Sequence, residues 1–131
     1  MTGFAPSLDV IERLGRAAYA GLPEKFRALC GDIAFFVADF PEQDVLDDLN
    51  AQSEFDILGL FTGIGLAHDE AIAATGRMPN AIYLYRRPIL DYWAEHRETL
   101  EAIVTHVLIH EIGHHFGLSD ADMDALERDA G

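Results

Sequence analysis

The chain has 131 residues, half of them hydrophobic, which corresponds to one domain with a hydrophobic core. Nine Lys and Arg residues against 23 Asp and Glu residues give a net charge of −14 at pH 7 with histidine neutral. This charge opposes binding to nucleic acid or anionic lipid. A single cysteine excludes an internal disulfide, and the N-terminus lacks the basic start and apolar core of a signal peptide, so we expect a cytoplasmic protein. The longest apolar runs, such as residues 33–38, are far shorter than the ~20 residues of a membrane-spanning helix.

The N-terminal third of the chain predicts two helices and a strand. Ser7 can cap a helix that ends at Gly21, because apolar residues recur after it at helical spacing. Pro23 can open a second, short helix that runs to about Leu29. The aromatic and branched run 33–40 then predicts a buried strand.

The middle of the chain predicts a short helix and two further strands. Residues 39–56 contain seven acidic residues and no basic one, with a short amphipathic helix that exposes the acids to solvent. A strand is expected within 54–61, and a loop that carries His68 within 67–79. Residues 81–87 alternate aliphatic residues with tyrosine and precede a proline, which predicts a strand at a sheet edge. No repeat or linker interrupts the sequence, so we expect 1–131 to form a single α+β domain.

The most informative motif lies in a long apolar helix predicted for residues 97–116, where His110, Glu111 and His114 form the pattern HExxH. Residues i and i+4 project from one face of a helix, so the two imidazoles can hold one ion with Glu111 beside them. Zinc held by imidazole nitrogens lowers the pKa of its water to roughly 7, and an adjacent carboxylate can take a proton from that water. The alternative is a chance pattern of ordinary, partly buried histidines. Such groups on an apolar helix are costly to bury without a partner, and a metal provides one.

Two roles are open for Asp120, six residues after His114. Gly117 can adopt the left-handed conformation that ends a helix, and the resulting turn would return Asp120 to the same ion as a third ligand. Alternatively, Ser119 or Asp120 caps a final helix that runs to about Arg128. We favour the ligand role. Three later acids are alternative ligands: Asp122, Asp124 and Glu127.

The run HEIGHHFGLSD, residues 110–120, resembles the extended zincin motif HExxHxxGxxH/D, with Asp120 at the position of the third ligand. Together with the run 33–40 and LYRRPIL at 84–90, it resembles the minimal zincins, small bacterial zincin-like metallopeptidases. The similarity covers most of the chain after its first helix. It implies an α+β fold with a small mixed sheet, an active-site helix, a backing helix and a cleft along an edge strand. Met123 is too close to Asp120 to be equated with the Met-turn that metzincins place beneath their metal.

The resemblance implies a zinc-dependent peptidase. One Zn²⁺ per chain would be held by His110, His114 and Asp120, with Glu111 as the general base, and a peptide or protein substrate would add as a strand beside residues 82–86. A zinc-stabilised peptide-binding module without catalysis is the alternative from another class. A zinc-dependent endoribonuclease is a third, but the net charge of −14 and a Glu directly after the first His argue against it. The sequence implies neither a nucleic-acid partner nor a membrane, and it leaves the oligomeric state open.

Several other polar residues have alternative roles near such a site. His106 lies one turn before His110 and can orient a ligand or substrate, or be a hydrogen-bonded histidine at the edge of the core or cleft. Tyr83, Tyr85 and Arg86 can stabilise an oxyanion if their strand borders the cleft, although strand packing is the simpler interpretation. We expect surface roles for the histidines His68, His96 and His115, and packing roles for Tyr92 and Trp93.

Overall fold

The computed structural model describes residues 4–63 and 80–130, and these residues form six helices and three strands. In chain order the elements are α1 (Leu8–Ala20), α2 (Glu24–Cys30), β1 (Ile33–Ala38), α3 (Gln43–Asp48), β2 (Gly59–Thr62), β3 (Asn80–Tyr85), α4 (Arg86–Glu95), α5 (Leu100–His115) and α6 (Asp120–Ala130). This order confirms the predicted α+β class. The loop predicted for 67–79, with His68, lies outside the described residues.

The three strands form a mixed sheet in the order β1-β3-β2. Strand β1 runs parallel to β3, with Ile33 opposite Asn80, and β2 runs antiparallel to β3, with Gly59 opposite Leu84. The mixed sheet that the minimal-zincin resemblance implied is therefore present.

The prediction that residues 81–87 form an edge strand is wrong, because β3 pairs on both sides and is the central strand. The proline that suggested an edge, Pro88, lies in the first turn of α4, where a missing N–H leaves no helical hydrogen bond unmade. Tyr85 is 3% exposed, and Tyr83 stacks on Phe36 of β1 with ring centroids 5.1 Å apart.

The limits of the other strands differ from the prediction. Strand β1 ends at Ala38 and lies at an edge of the sheet, and although its Phe35 is buried, Phe36 is 47% exposed. The segment predicted as a strand within 54–61 begins its strand pairing only at Gly59. Short elements of this kind have boundaries that depend on their neighbours in the sheet.

The hydrophobic core lies where α1 and α5 pack against each other and the sheet. Helix α1 begins as predicted, with the Ser7 hydroxyl accepting a hydrogen bond from the Val10 N–H. Helix α5 has buried residues on almost every side, so its polar residues are confined to the remaining surface. The fully buried side chains include Ile11, Ile82, Leu84, Ile89, Ile103, Leu108, Ile109, Ile112 and Met123.

A glycine turn folds α6 back onto α5. Gly117 has φ +75°, its N–H donates to the His114 carbonyl at 3.2 Å, and the Leu118 N–H donates to the Gly113 carbonyl at 2.9 Å. This is the Schellman arrangement, which satisfies carbonyls at a helix end. Helix α6 then packs on α5, with Met123 fully buried against Gly113, where a Cβ atom would lie 2.6 Å from the methionine sulfur.

We expect Gly117→Ala to lower the free energy of unfolding by about 1–2 kcal/mol, because an L-residue in the left-handed conformation brings its Cβ too close to the following carbonyl. A Cβ at Gly117 would meet nothing within 4 Å, so the cost lies in the backbone conformation. Gly21→Ala is the matched control, since Gly21 also ends a helix but has φ −85°. Urea denaturation followed by circular dichroism measures both variants. Equal losses at the two positions would contradict this origin of the strain.

Candidate metal centre

Three histidines form a row on one side of α5. His106, His110 and His114 follow one another at intervals of four residues, so they project from neighbouring turns of one face. The ring centroids of His106 and His110 lie 4.0 Å apart, and those of His110 and His114 lie 5.7 Å apart. Thr99 caps the start of α5, because its hydroxyl accepts from the Ala102 N–H at 3.0 Å. The sequence pattern therefore places two predicted ligands and His106 side by side.

Glu127 of α6 faces this row. Its Oε1 atom lies 2.8 Å from His110 Nε2 and 2.6 Å from His106 Nδ1. The three donor atoms lie within 4.8 Å of one another, and in the described part of the chain they form the one group of three or more such side chains suited to a metal ion. Glu127 was an alternative ligand in the sequence interpretation, and the structure brings it to His110.

Asp120 lies elsewhere on α6. It is the first residue of that helix and is exposed, like His114. The preceding residue, Ser119, caps the helix, because its hydroxyl accepts from the Asp122 N–H at 3.1 Å. The cap predicted for Ser119 or Asp120 is thus Ser119, which leaves the Asp120 carboxylate without a capping role. The assignment of Asp120 and His114 as ligands stays a prediction, and neither residue belongs to the group around Glu127.

The physical reason for this placement is the geometry of the turn at Gly117. Helix α6 starts at the C-terminal end of α5 and runs back along it, so its first residue lies near the end of α5. Residues two turns further on reach His110, as Glu127 does. The sequence spacing alone does not show which acid on α6 arrives beside which histidine.

Glu111 lies inside the cleft between α5 and the chain entering β2. Burial raises the pKa of the Glu111 carboxyl, and the charge interaction with His114 lowers it by a smaller amount. Glu111 lines a cavity of about 330 Å³ together with His106 and His110 on α5 and residues 56–59 on the opposite wall. The predicted base and one predicted ligand therefore share a cavity large enough for a small peptide segment.

The close approach of β2 to α5 depends on Gly59, which the sequence interpretation did not single out. A Cβ at this position would lie 2.7 Å from Val107 Cγ1, 3.0 Å from the Tyr83 carbonyl oxygen and 3.5 Å from Glu111 Cγ. Glycine thus allows the strand to run directly beside the Glu111 side chain. An isolated glycine at the start of an apolar strand is the signal that predicts such an approach.

The residues considered for oxyanion stabilisation do not line this cavity. Arg86 donates through Nε to the Pro6 carbonyl at 2.6 Å and pairs through Nη1 with Asp39 at 3.1 Å. Burial raises the pKa of Tyr85 to about 12, and the charges of neighbouring Tyr83 and nearby acids add to the shift. Tyr92 packs against the core as expected, and it also lines the cavity.

The donor set fits a zinc ion. Imidazole nitrogen and carboxylate oxygen are the ligands that zinc takes in catalytic sites, usually three protein ligands with one open position. The row on α5 offers nitrogen atoms on consecutive turns, and α6 offers the Glu127 carboxylate opposite His106 and His110. The cavity beside Glu111 provides room for a reacting molecule.

Comparison with known families matches residues 30–130 to the zincin-like metallopeptidases. The chain belongs to this family. The match confirms the resemblance to the minimal zincins, and the family implies zinc binding and peptidase chemistry. No curated protein matches the chain. Among the described residues of this zincin-like metallopeptidase, no helix is long and apolar enough to cross a membrane.

The ligand assignment predicts that His114→Ala and Asp120→Ala each weaken zinc binding at least ~10-fold, because losing a ligand costs at least as much as losing an outer hydrogen-bond partner. Titration of zinc into the metal-free full chain measures the affinity. Asp124→Asn is the control, since Asp124 is an exposed acid on the same helix and makes the same change in charge. Unchanged affinity in Asp120→Ala would remove Asp120 from the ligand set.

The burial of Glu111 predicts a stability cost in the metal-free protein. The pKa of Glu111 is higher in the folded chain than in the unfolded chain, where it is about 4.3. Between the pKa of the unfolded chain and that of the folded chain, the folded state therefore binds more protons. The free energy of unfolding therefore falls as pH rises through this window. We expect metal-free Glu111→Gln to be more stable than metal-free wild type at neutral pH, with the difference vanishing below about pH 4.

Denaturation of chelator-treated protein across this pH range measures the difference. Glu101→Gln on the same helix is the control, because Glu101 is exposed and its replacement should produce no comparable change with pH. A Glu111→Gln variant that is less stable than wild type at neutral pH would contradict a raised pKa for this carboxyl in the folded protein.

Proposed function

We propose that this protein is a zinc-dependent peptidase that hydrolyses peptide bonds in the cleft between α5 and β2. The observation that carries the proposal is the position of Glu111. Its carboxylate lines the same cavity of about 330 Å³ as His110, beside the strand at Gly59. The HExxH spacing and family membership support the same chemistry.

In this proposal His110, His114 and Asp120 hold the ion. When bound, zinc supplies a Lewis acid that polarises the scissile carbonyl and makes water a stronger acid. His110 is half-buried and His114 exposed, so the ligands lie where the helix surface meets the cleft. The carboxylate of Asp120 makes the ligand set one charge less positive than a third histidine would.

Glu111 moves the proton. A carboxylate with a raised pKa is a better base than an exposed one, because its ionised form is less stabilised by water. Glu111 accepts a proton from the attacking water and, once protonated, donates it to the amine that leaves. Because Gly59 has no Cβ, β2 can pass close to the Glu111 side chain, where an added Cβ would lie 3.5 Å from Glu111 Cγ.

The substrate would align along β2 and not along β3. In the described part of the chain, β3 pairs on both sides, whereas β2 pairs only with β3. An extended peptide can therefore add to the side of β2 that no described strand occupies, through main-chain hydrogen bonds. This position replaces the segment 82–86, which the sequence interpretation assigned to substrate binding.

The central test of the proposal is Glu111→Gln in the zinc-loaded full chain. We expect turnover of a mixture of unstructured peptides to fall at least ~100-fold, because general acid–base catalysis contributes at least this factor. Zinc affinity should be retained, since Glu111 is not a ligand. Mass spectrometry of the products measures turnover, and zinc titration measures binding.

Glu101→Gln is the matched control, because it makes the same substitution on the exposed surface of the same helix. It should keep full turnover and zinc affinity. Full turnover in Glu111→Gln would overturn the assigned base. If zinc-loaded wild type binds peptides and cleaves none, the non-catalytic binding module becomes the better description.

A further inference from the structure

One carboxylate oxygen joins two histidines on the side of α5 that faces α6. Glu127 Oε1 lies 2.6 Å from His106 Nδ1 and 2.8 Å from His110 Nε2. The side chain of His110 is 23% exposed and that of Glu127 31%, so the contact is partly screened from water. His106 and Glu127 have no role in the proposed peptidase mechanism.

We propose that His106 Nδ1, His110 Nε2 and Glu127 Oε1 form a second site for a divalent transition-metal ion, separate from the HExxH ligand set and sharing His110 with it. The inference goes beyond the proposed function, because it requires neither peptide hydrolysis nor Asp120. Two imidazole nitrogens and one carboxylate oxygen suit zinc and related first-row ions.

The site is built by two helices whose packing holds the donors opposite each other. His106 and His110 lie one turn apart on α5, and Glu127 lies on α6, one turn beyond the fully buried Met123. Since Met123 packs on Gly113, the distance between the helices is set by the core and not by the polar contact. The donor atoms already lie within 4.8 Å of one another, so little rearrangement is needed to bring them to a common ion.

A separate opening leads from solvent to this site. A cavity of about 310 Å³ is lined by His106 and Glu127 together with Glu98 and Glu101, and no Lys or Arg of residues 4–63 and 80–130 lines it. The acidic walls favour entry of a cation. This cavity is distinct from the cleft that contains Glu111, although His106 lines both. An ion at the second site would therefore be accessible without passing through the proposed substrate cleft.

Metal binding at the second site competes with two other interactions of His110, which are its hydrogen bond to Glu127 and its predicted binding of an ion in the HExxH site. A ring nitrogen that donates a hydrogen bond to Glu127 has no lone pair for a metal, so binding must release that proton. His110 is also a predicted ligand of the HExxH site. We therefore expect each ion to exclude the other, with one metal bound tightly per chain.

The test uses the metal-free full chain with His114→Ala, which removes one ligand of the HExxH site and leaves the proposed second site intact. We expect this variant to bind one Zn²⁺ per chain, more weakly than wild type, and the histidine ring resonances of His106 and His110 to shift on zinc addition. Adding Glu127→Gln to the same variant should weaken this binding at least ~10-fold. Adding Asp129→Asn, an exposed acid on the same helix, should leave it unchanged.

His106→Asn in the His114→Ala background is a second variant, for use if Glu127→Gln lowers stability, and it should weaken binding to the same extent. The proposal is overturned if His114→Ala binds no zinc, or if its binding does not depend on Glu127 and His106. The proposal is also overturned if the single variant Glu127→Gln loses zinc while His114→Ala binds none. In that case Glu127 would act only as a positioning residue for His110. These binding measurements do not depend on peptidase activity. If wild type cleaves no peptide, the proposed function is contradicted, but the proposed second metal site is not.

Discussion

The packing of α6 on α5 is the constraint on which the metal centre depends. Gly117 reverses the chain in a left-handed conformation, and Met123 then packs against Gly113, where no Cβ keeps the helices apart. This contact sets the distance and rotation between the two helices. It therefore decides which acidic side chains of α6 face the histidines of α5. Since Glu127 lies between Leu126 and Arg128 in the sequence, a change of rotation by one residue would turn its carboxylate away from His110.

The polar surface of α5 is narrow because most of the helix is buried. Apolar residues bury the helix against the sheet and α1, so its polar side chains have only the surface toward β2 and α6. Glu111 lies at the inner edge of this surface, where burial raises the pKa of its carboxyl. The same burial destabilises the charged form of Glu111 in the folded protein. Gly59 brings β2 close enough to maintain that environment.

Local signals predicted most of the helices, because their causes lie within a few residues, but α4 (Arg86–Glu95) was not predicted and its first two residues were assigned to a strand. The Ser7 cap, the glycine ending α1 and the left-handed Gly117 are all present. The sheet was harder to predict. Alternation in residues 81–87 does not reveal how many neighbours a strand has, and Pro88 proved to belong to the first turn of a helix. Strand β2 is short because its start depends on pairing with β3, which no residue within β2 specifies.

The sequence by itself determined the HExxH geometry, because the helical period alone places His110 and His114 on one face with Glu111 beside them. It also determined the family, since the motif and its surroundings extend over residues 30–130. The tertiary structure alone decided that β2 is the strand beside Glu111 and that Glu127 meets His106 and His110. The physical reason is that these contacts join residues on different elements, whose relative position is set by the packing of the whole core and not by local spacing.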